Sequence, residues 1–289
     1  MKFSPTGGKI MKNNIIGLFV CILLISSVVI PVAAITERND ITVTSYDSDV
    51  PIWDVGDEWT YHFIEKRSQL VNYVLSGDLT LKVVEDTGDS YILKASTRPY
   101  GGFDMDGFGL KTTFLTSLSM RLQIRKTDFA LENYLYKLKG FLFLTVGSFT
   151  LPIPIQVIGN IDVEFDPPWV ILPFPLYDEK AGLLSGTEIL HINLHFGLFW
   201  GLISVYGPQN YTIPLDPVPY MCSEEQLTVE AGTFDVYNVT AVADDGSRFV
   251  SYYSEKVGSV AKEIVLIPFG GGRVQYSLTL ELKDYKYSP

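Results

Sequence analysis

The sequence predicts an all-β protein: a large curved antiparallel sheet or half-barrel with little helix, open to division into two pseudo-repeated halves. Three observations carry that expectation. Apolar residues recur at every second position through most of the chain, the spacing that turns one face of a strand inward. Tyr and Phe each occur 17 times, and aromatic rings suit a pleated surface. After residue 34 no stretch keeps a helical period over a useful length.

Residues 1–34 read as a signal peptide. Lys9 and Lys12 precede an uncharged run, 15–34, that closes on "IPVAA": a basic region, an apolar core, a helix-breaking Pro31 and small Ala33 and Ala34. The run is long enough to cross a bilayer, so a retained anchor is the competing reading. Ser26, Ser27 and the Pro-Val-Ala-Ala ending favour cleavage. Loss of the segment removes Lys2, Lys9 and Lys12 and takes the net charge from −11 to −14. So acidic a chain disfavours nucleic acid and anionic lipid headgroups, which both need a positive field. Cys21 leaves with the signal, and the lone Cys222 excludes an intrachain disulfide. The expected product is secreted or held at the cell surface, with no stable membrane span once cleaved.

Residues 35–50 read as an extended polar lead-in and 51–289 as a single β-rich domain. "PIWDVGDEWTYHF" turns at Gly56-Asp57 and enters a strand through Trp59, Tyr61 and Phe63. A hairpin follows, with Leu79, Leu81 and Val83 before the Thr87-Gly88-Asp89 turn and Tyr91, Leu93 and Ala95 after it. "RPYGGFDMDGFG" reads as a glycine-rich loop. Leu122 and Ile124 alternate with Arg121, Gln123 and Arg125, as in a half-exposed strand. Residues 141–176 are apolar and proline-rich; Pro152, Pro154, Pro167, Pro168, Pro173 and Pro175 forbid a long helix and confine strands to edges or short pieces. "GPQNYTIPLDPVP" reads as a loop. "QLTVEA", "TFDVYNVTA", "RFVSYY", "SVAKEIVLI" and "VQYSLTLELKDYKY" supply the closing strands. An internal echo links 78–96 with 225–241, each a Leu-Thr strand, a Gly turn and a return strand, and a duplicated half-barrel would explain it.

Four pieces in order, "VGDEWTYHF", "LTVEAGTFDVYNV", "YYSEKVGSVAKEI" and "LTLELKDYK", resemble a family of exported, β-rich prokaryotic proteins, largely archaeal, whose domain has no known function. The resemblance covers about half of the chain. It implies no catalytic residue. Its outline is similar to lipoprotein-carrier folds, in which a curved sheet wraps an apolar cavity. Within these motifs Trp59, Gly232, Phe234, Tyr253 and Gly258 read as structural: Gly232 for a tight turn, the aromatics for sheet packing.

The chemistry-bearing candidates are few. In a strand His191, Asn193 and His195 share one face, so "HINLH" offers two imidazoles to a metal, with Glu188 or His62 as a third ligand; a polar strand face is the plainer reading. Asp104 and Asp106 in "DMDG" fail the calcium-loop spacing. Cys222 lies beside Glu224 and Glu225, whose charge opposes a reactive thiolate. Asn210 and Asn238 head glycosylation sequons, and Asn238 shares a strand face with Phe234 and Val236. No catalytic residue and no cofactor is assigned. The expectation is a non-catalytic exported β-protein holding an apolar or lipid-like ligand, with 141–176 lining or covering the pocket. A cell-surface interaction module and a secreted hydrolase are the alternatives.

Overall fold

The computed structural model describes residues 49–69, 71–105, 110–146, 149–170, 172–198, 203–204, 209–268 and 274–287. All belong to one compact unit, Val32–Pro289. Residues 1–34, expected as a signal peptide, and 35–48 of the expected lead-in lie outside the described residues.

The chain is antiparallel β throughout, as expected. The strands are β1 (Glu58–Gln69), β2 (Val71–Asp86), β3 (Ser90–Thr97), β4 (Tyr100–Met105), β5 (Leu110–Arg125), β6 (Ala130–Val146) and β7 (Phe149–Val170). Then come β8 (Ala181–Leu198), β9 (Ile203–Ser204), β10 (Gln209–Val229), β11 (Gly232–Val242), β12 (Arg248–Ser254), β13 (Ser259–Pro268) and β14 (Val274–Lys286). Among the described residues the one helical piece is a single 3-10 turn, Glu255–Val257.

The pairing runs in sequence order and returns to its start. β1 is bonded to β2 on one edge and to β14 on the other. With β3 and β4 sharing one place between β2 and β5, and β9 off the path, the ladder has 12 positions. Closure is confined to part of the strand length. β10 meets β11 only from Tyr220 onward, so residues 209–219 are bonded along one edge, to β8.

Three segments depart from the sequence expectation. Residues 141–176 are not short pieces: β7 alone runs 22 residues. It tolerates its prolines because it is bonded on both edges only over residues 156–164. Pro152, Pro154, Pro167 and Pro168 all fall outside that span, and Pro152, Pro167 and Pro168 sit at the two register shifts against β6. The same rule explains β10, read as a loop from its prolines. Pro214, Pro217 and Pro219 lie in the singly bonded part, and Pro217 marks a register shift. Residues 100–105, expected as loop, form β4, because Gly101 finds a ladder partner on β2 and Gly102 partners on both β2 and β5.

The halves are structural repeats. Advancing six places round the ring carries β1 to β8, β2 to β10, β3 to β11, β5 to β12, β6 to β13 and β7 to β14. The register follows. Val83, Leu93, Leu122, Tyr134 and Val163 are successive cross-strand partners in the first half. Cys222, Val239, Ser251, Glu263 and Leu280 are the corresponding partners in the second.

The chain enters each half through the same clamp. Gly56 N donates to Val83 O and Val83 N to Asp57 O, both at 2.9 Å. In the second half Glu179 N donates to Cys222 O at 3.1 Å and Cys222 N to Lys180 O at 2.7 Å. Gly56 (φ 114°) and Glu179 (φ 62°) both take left-handed backbone there. So do Phe129 (φ 59°) and Gly258 (φ 62°), at corresponding turns before β6 and β13. The hairpins 78–96 and 225–241, the echo read in the sequence, occupy corresponding places.

Aromatic rings close one end. Trp53 packs on Trp59 (4.9 Å between centroids), Tyr91 (5.4 Å) and Phe129 (4.7 Å); Phe129 meets Phe174 (5.6 Å), which meets Tyr253 (5.0 Å). The indoles are satisfied as well as buried: Trp53 Nε1 donates to Gly258 O and Trp59 Nε1 to Val257 O, each at 2.7 Å. Trp59, Phe234 and Tyr253 are thus core residues, Gly232 (φ 137°) opens β11 after its turn, and Gly258 caps the 3-10 turn. A side chain at Gly258 would overlap the Tyr287 ring.

Candidate functional site

Alternation assigns the two faces of the ring. On β1, Trp59, Tyr61, Phe63 and Glu65 are buried and point inward, while His62, Ile64 and Lys66 face out. Next to the aromatic end the inner face is filled: Val83, Leu93, Leu122, Tyr134 and Val163 are almost without exposure. Farther along the strands it opens. Leu75, Leu79, Phe249 and Ile267 share the inward parity of their strands yet are only half-buried.

The inner face of the second half is more polar. Ser251 is buried, and Ser259 Oγ lies 2.9 Å from Tyr61 Oη on β1 of the first half. Glu263 stands in the ring row between Ser251 and Leu280. Desolvation by the surrounding wall pushes its carboxyl up to about 8, so it is largely protonated at neutral pH. The adjacent Tyr61 phenol is also raised, first by burial and then by the charge of Glu263. Sequence parity holds the signal for Glu263, which alternates with Ala261 and Val265; the reading above passed over it.

The outer face carries a cleft of about 730 Å³ across β14, β1, β2, β3 and β5. Asp78 lies at its centre, with its Oδ1 3.0 Å from His62 Nδ1 and its Oδ2 accepting from Lys283 Nζ at 2.9 Å. These two partners, Lys283 first, hold the Asp78 carboxyl below the usual carboxylate range. Ser96, Arg98, Ser117 and Ser119 face the same space.

The remaining candidates are not brought together. His62 sits on β1, six ring places from β8, so it is not a third ligand to His191 and His195. Glu188 pairs with Phe165, and its side chain lies outside the described residues. The side chains of His191 and His195 lie outside the described residues. Their register places His191 between Asp162 of β7 and Asn210 of β10. Among the described residues no group of three or more His, Cys, Asp and Glu is arranged to hold a metal ion. Asp104 is paired within β4, while Asp106 lies outside the described residues. Cys222 is buried, and burial pushes its thiol up to about 12, with Asp178 and Glu224 adding to the rise and Lys180 opposing it. Such a thiol is a core residue, not a nucleophile. Asn238 falls where β11 changes its buried side, between Val236 and Val239; its Nδ2 donates to Glu225 Oε1 at 2.7 Å.

Among the described residues no helix is long and apolar enough to cross a membrane. No family model, curated protein or solved structure matches this chain.

Proposed function

We propose that this chain is an exported β-protein that holds an apolar, lipid-like ligand against the inner face of its ring and does no chemistry on it. One observation carries the reading: the inner face is filled beside the aromatic end and opens farther along the strands, where Leu75, Leu79, Phe249 and Ile267 stay partly accessible. An interior of about eight strands is already filled by side chains or one small ligand, and diameter grows with strand number. The ladder here has twelve positions, more than that number. Apolar walls with a few polar groups, here Glu263, Tyr61 and Ser259, are what such a site requires.

The surface-module alternative asks for an exposed aromatic patch. The large apolar side chains most exposed among the described residues are instead aliphatic or Met, such as Ile52, Leu183 and Met221. The resemblance to exported proteins with a lipoprotein-carrier outline agrees with the carrier reading, as does the N-terminal signal.

Native mass spectrometry of the product recovered from an exporting host, followed by organic extraction, is the direct test. The expected result is a co-purifying apolar molecule that leaves on extraction. A bare mass, together with failure to take up any chain molecule on refolding, would overturn the proposal.

A further inference from the structure

The wall of the ring is interrupted at one place. β3 ends at Thr97 and β4 begins at Tyr100, and the two residues between them, Arg98 and Pro99, pair with neither β2 nor β5. Pro99 has no N–H to give a ladder. The cleft lies over this gap, and its lining draws on both faces of the wall. Asp78 and Ser117 belong to the outward parity, Thr97 and Leu118 to the inward one. Gly77 lies at the edge of this gap, where a Cβ would stand 3.1 Å from the inner-face ring of Phe63 and 3.4 Å from Arg98 O.

The polar groups at the gap are unevenly matched. Arg98 is exposed and has no acidic partner among the described residues. Lys283 adds a second cation, and the cleft's one carboxylate, Asp78, is already shared between Lys283 and His62. Thr97 Oγ1 is buried without a hydrogen-bond partner among the described residues. A buried hydroxyl left in that state is costly, and a ligand oxygen would satisfy it. Guanidinium, ammonium and hydroxyl donors facing one space suit an oxyanion. The net charge, −11 for the whole chain and −14 without Lys2, Lys9 and Lys12, disfavours anions at long range but does not forbid a local site. At physiological salt a distant charge is screened within about 8 Å.

We propose that the cleft seats the anionic headgroup of a single-chain amphiphile whose tail passes the Arg98–Pro99 gap to the inner face. This rests on the carrier reading above. Arg98 grips the headgroup, Lys283 adds field, and Thr97 accepts or donates at the threshold where polar lining gives way to Leu118.

Titration calorimetry of the full chain with dodecanoate, dodecanol and acetate, each below its aggregation limit, separates the two readings. The variants are Arg98→Gln, at an exposed position that leaves the core untouched, and Thr97→Val. The expected result is tighter binding of dodecanoate than of dodecanol, with a loss of about tenfold or more for dodecanoate alone in Arg98→Gln. A smaller loss follows in Thr97→Val. Equal binding of the two chain molecules, unchanged in Arg98→Gln, overturns the headgroup site and leaves the carrier standing. Binding of acetate as tight as dodecanoate, with no binding of dodecanol, overturns the carrier and the tail passage with it. No binding of any of the three overturns both.

Discussion

The two halves of the ring share a register and differ in what they place on it. Val83, Leu93, Leu122, Tyr134 and Val163 line the inner row of the first half, all buried, with a phenol as the one polar group. At the same five places the second half has Cys222, Val239, Ser251, Glu263 and Leu280. A hydroxyl stands where the first half has Leu122, and a carboxyl where it has Tyr134. What the halves keep in common is backbone: the clamp ahead of β1 and β8, and the left-handed residue ahead of β6 and β13. The repeat therefore fixes the curvature of the wall and leaves its lining free. In this row one half carries packed apolar core, the other a hydroxyl and a carboxyl.

The largest effect that would break this comparison is a cavity. Leu122→Ala should cost about 3 kcal/mol, because the site is fully buried among Leu93 and Tyr134 and cannot collapse freely. Ser251→Ala, at the corresponding place, should cost under about 1 kcal/mol, the worth of one hydroxyl's hydrogen bond. Urea denaturation of both variants measures the difference. Equal losses would mean that the second half is as tightly filled as the first.

Glu263 sharpens the same comparison through pH. Its folded-state pKa, about 8, lies above its ordinary value of 4.5. Between those values the folded chain binds a proton that the unfolded chain does not, so stability falls as pH rises from about 5 to 8 and levels beyond. Partial access to water at a half-buried position limits the loss to an order of 1–2 kcal/mol. Melting temperatures at pH 5, 7 and 9 should show this slope reduced in Glu263→Gln relative to the parent chain. Parallel curves for the two proteins would show that the carboxyl is solvated, and the wall around it open to water.

Much of this architecture is legible in the sequence, and what is not fails for identifiable reasons. Period-two alternation places β1, β2, β3, β5 and the last four strands, because each has one buried face. The prolines of 141–176 signal edges or short pieces and those of 214–219 a loop; in the fold they mark the singly bonded parts of the long strands β7 and β10. Proline breaks only a doubly bonded strand, and which edges are bonded is a tertiary fact. Ring closure is equally hidden, since β1 meets β14 across most of the chain. The outer cleft has the same origin: Asp78 and Lys283 are 205 residues apart in sequence. The repeat shows in sequence only as two similar hairpins. Its firmer marks are backbone angles at Gly56, Glu179, Phe129 and Gly258, where unlike residues hide a shared conformation.

That mismatch of residue and conformation supplies the smallest effect. Glu179 holds φ 62° at the clamp before β8, a region that costs an ordinary residue about 1–2 kcal/mol. Its side chain is exposed, so nothing in the core depends on it. Glu179→Gly should relieve part of that strain, offset by the greater freedom of glycine in the unfolded chain, for a net gain below about 1 kcal/mol. At the corresponding place Gly56→Ala should lose about 1 kcal/mol or slightly more. Its space is open, with no atom within 4 Å of the new Cβ, so only backbone strain is added. Opposite signs at the two clamps, read from urea midpoints, would show that both halves need the left-handed residue for the same structural reason. A loss at both would mean that the Glu179 side chain anchors the second clamp, and that the halves are alike in path but not in what holds it.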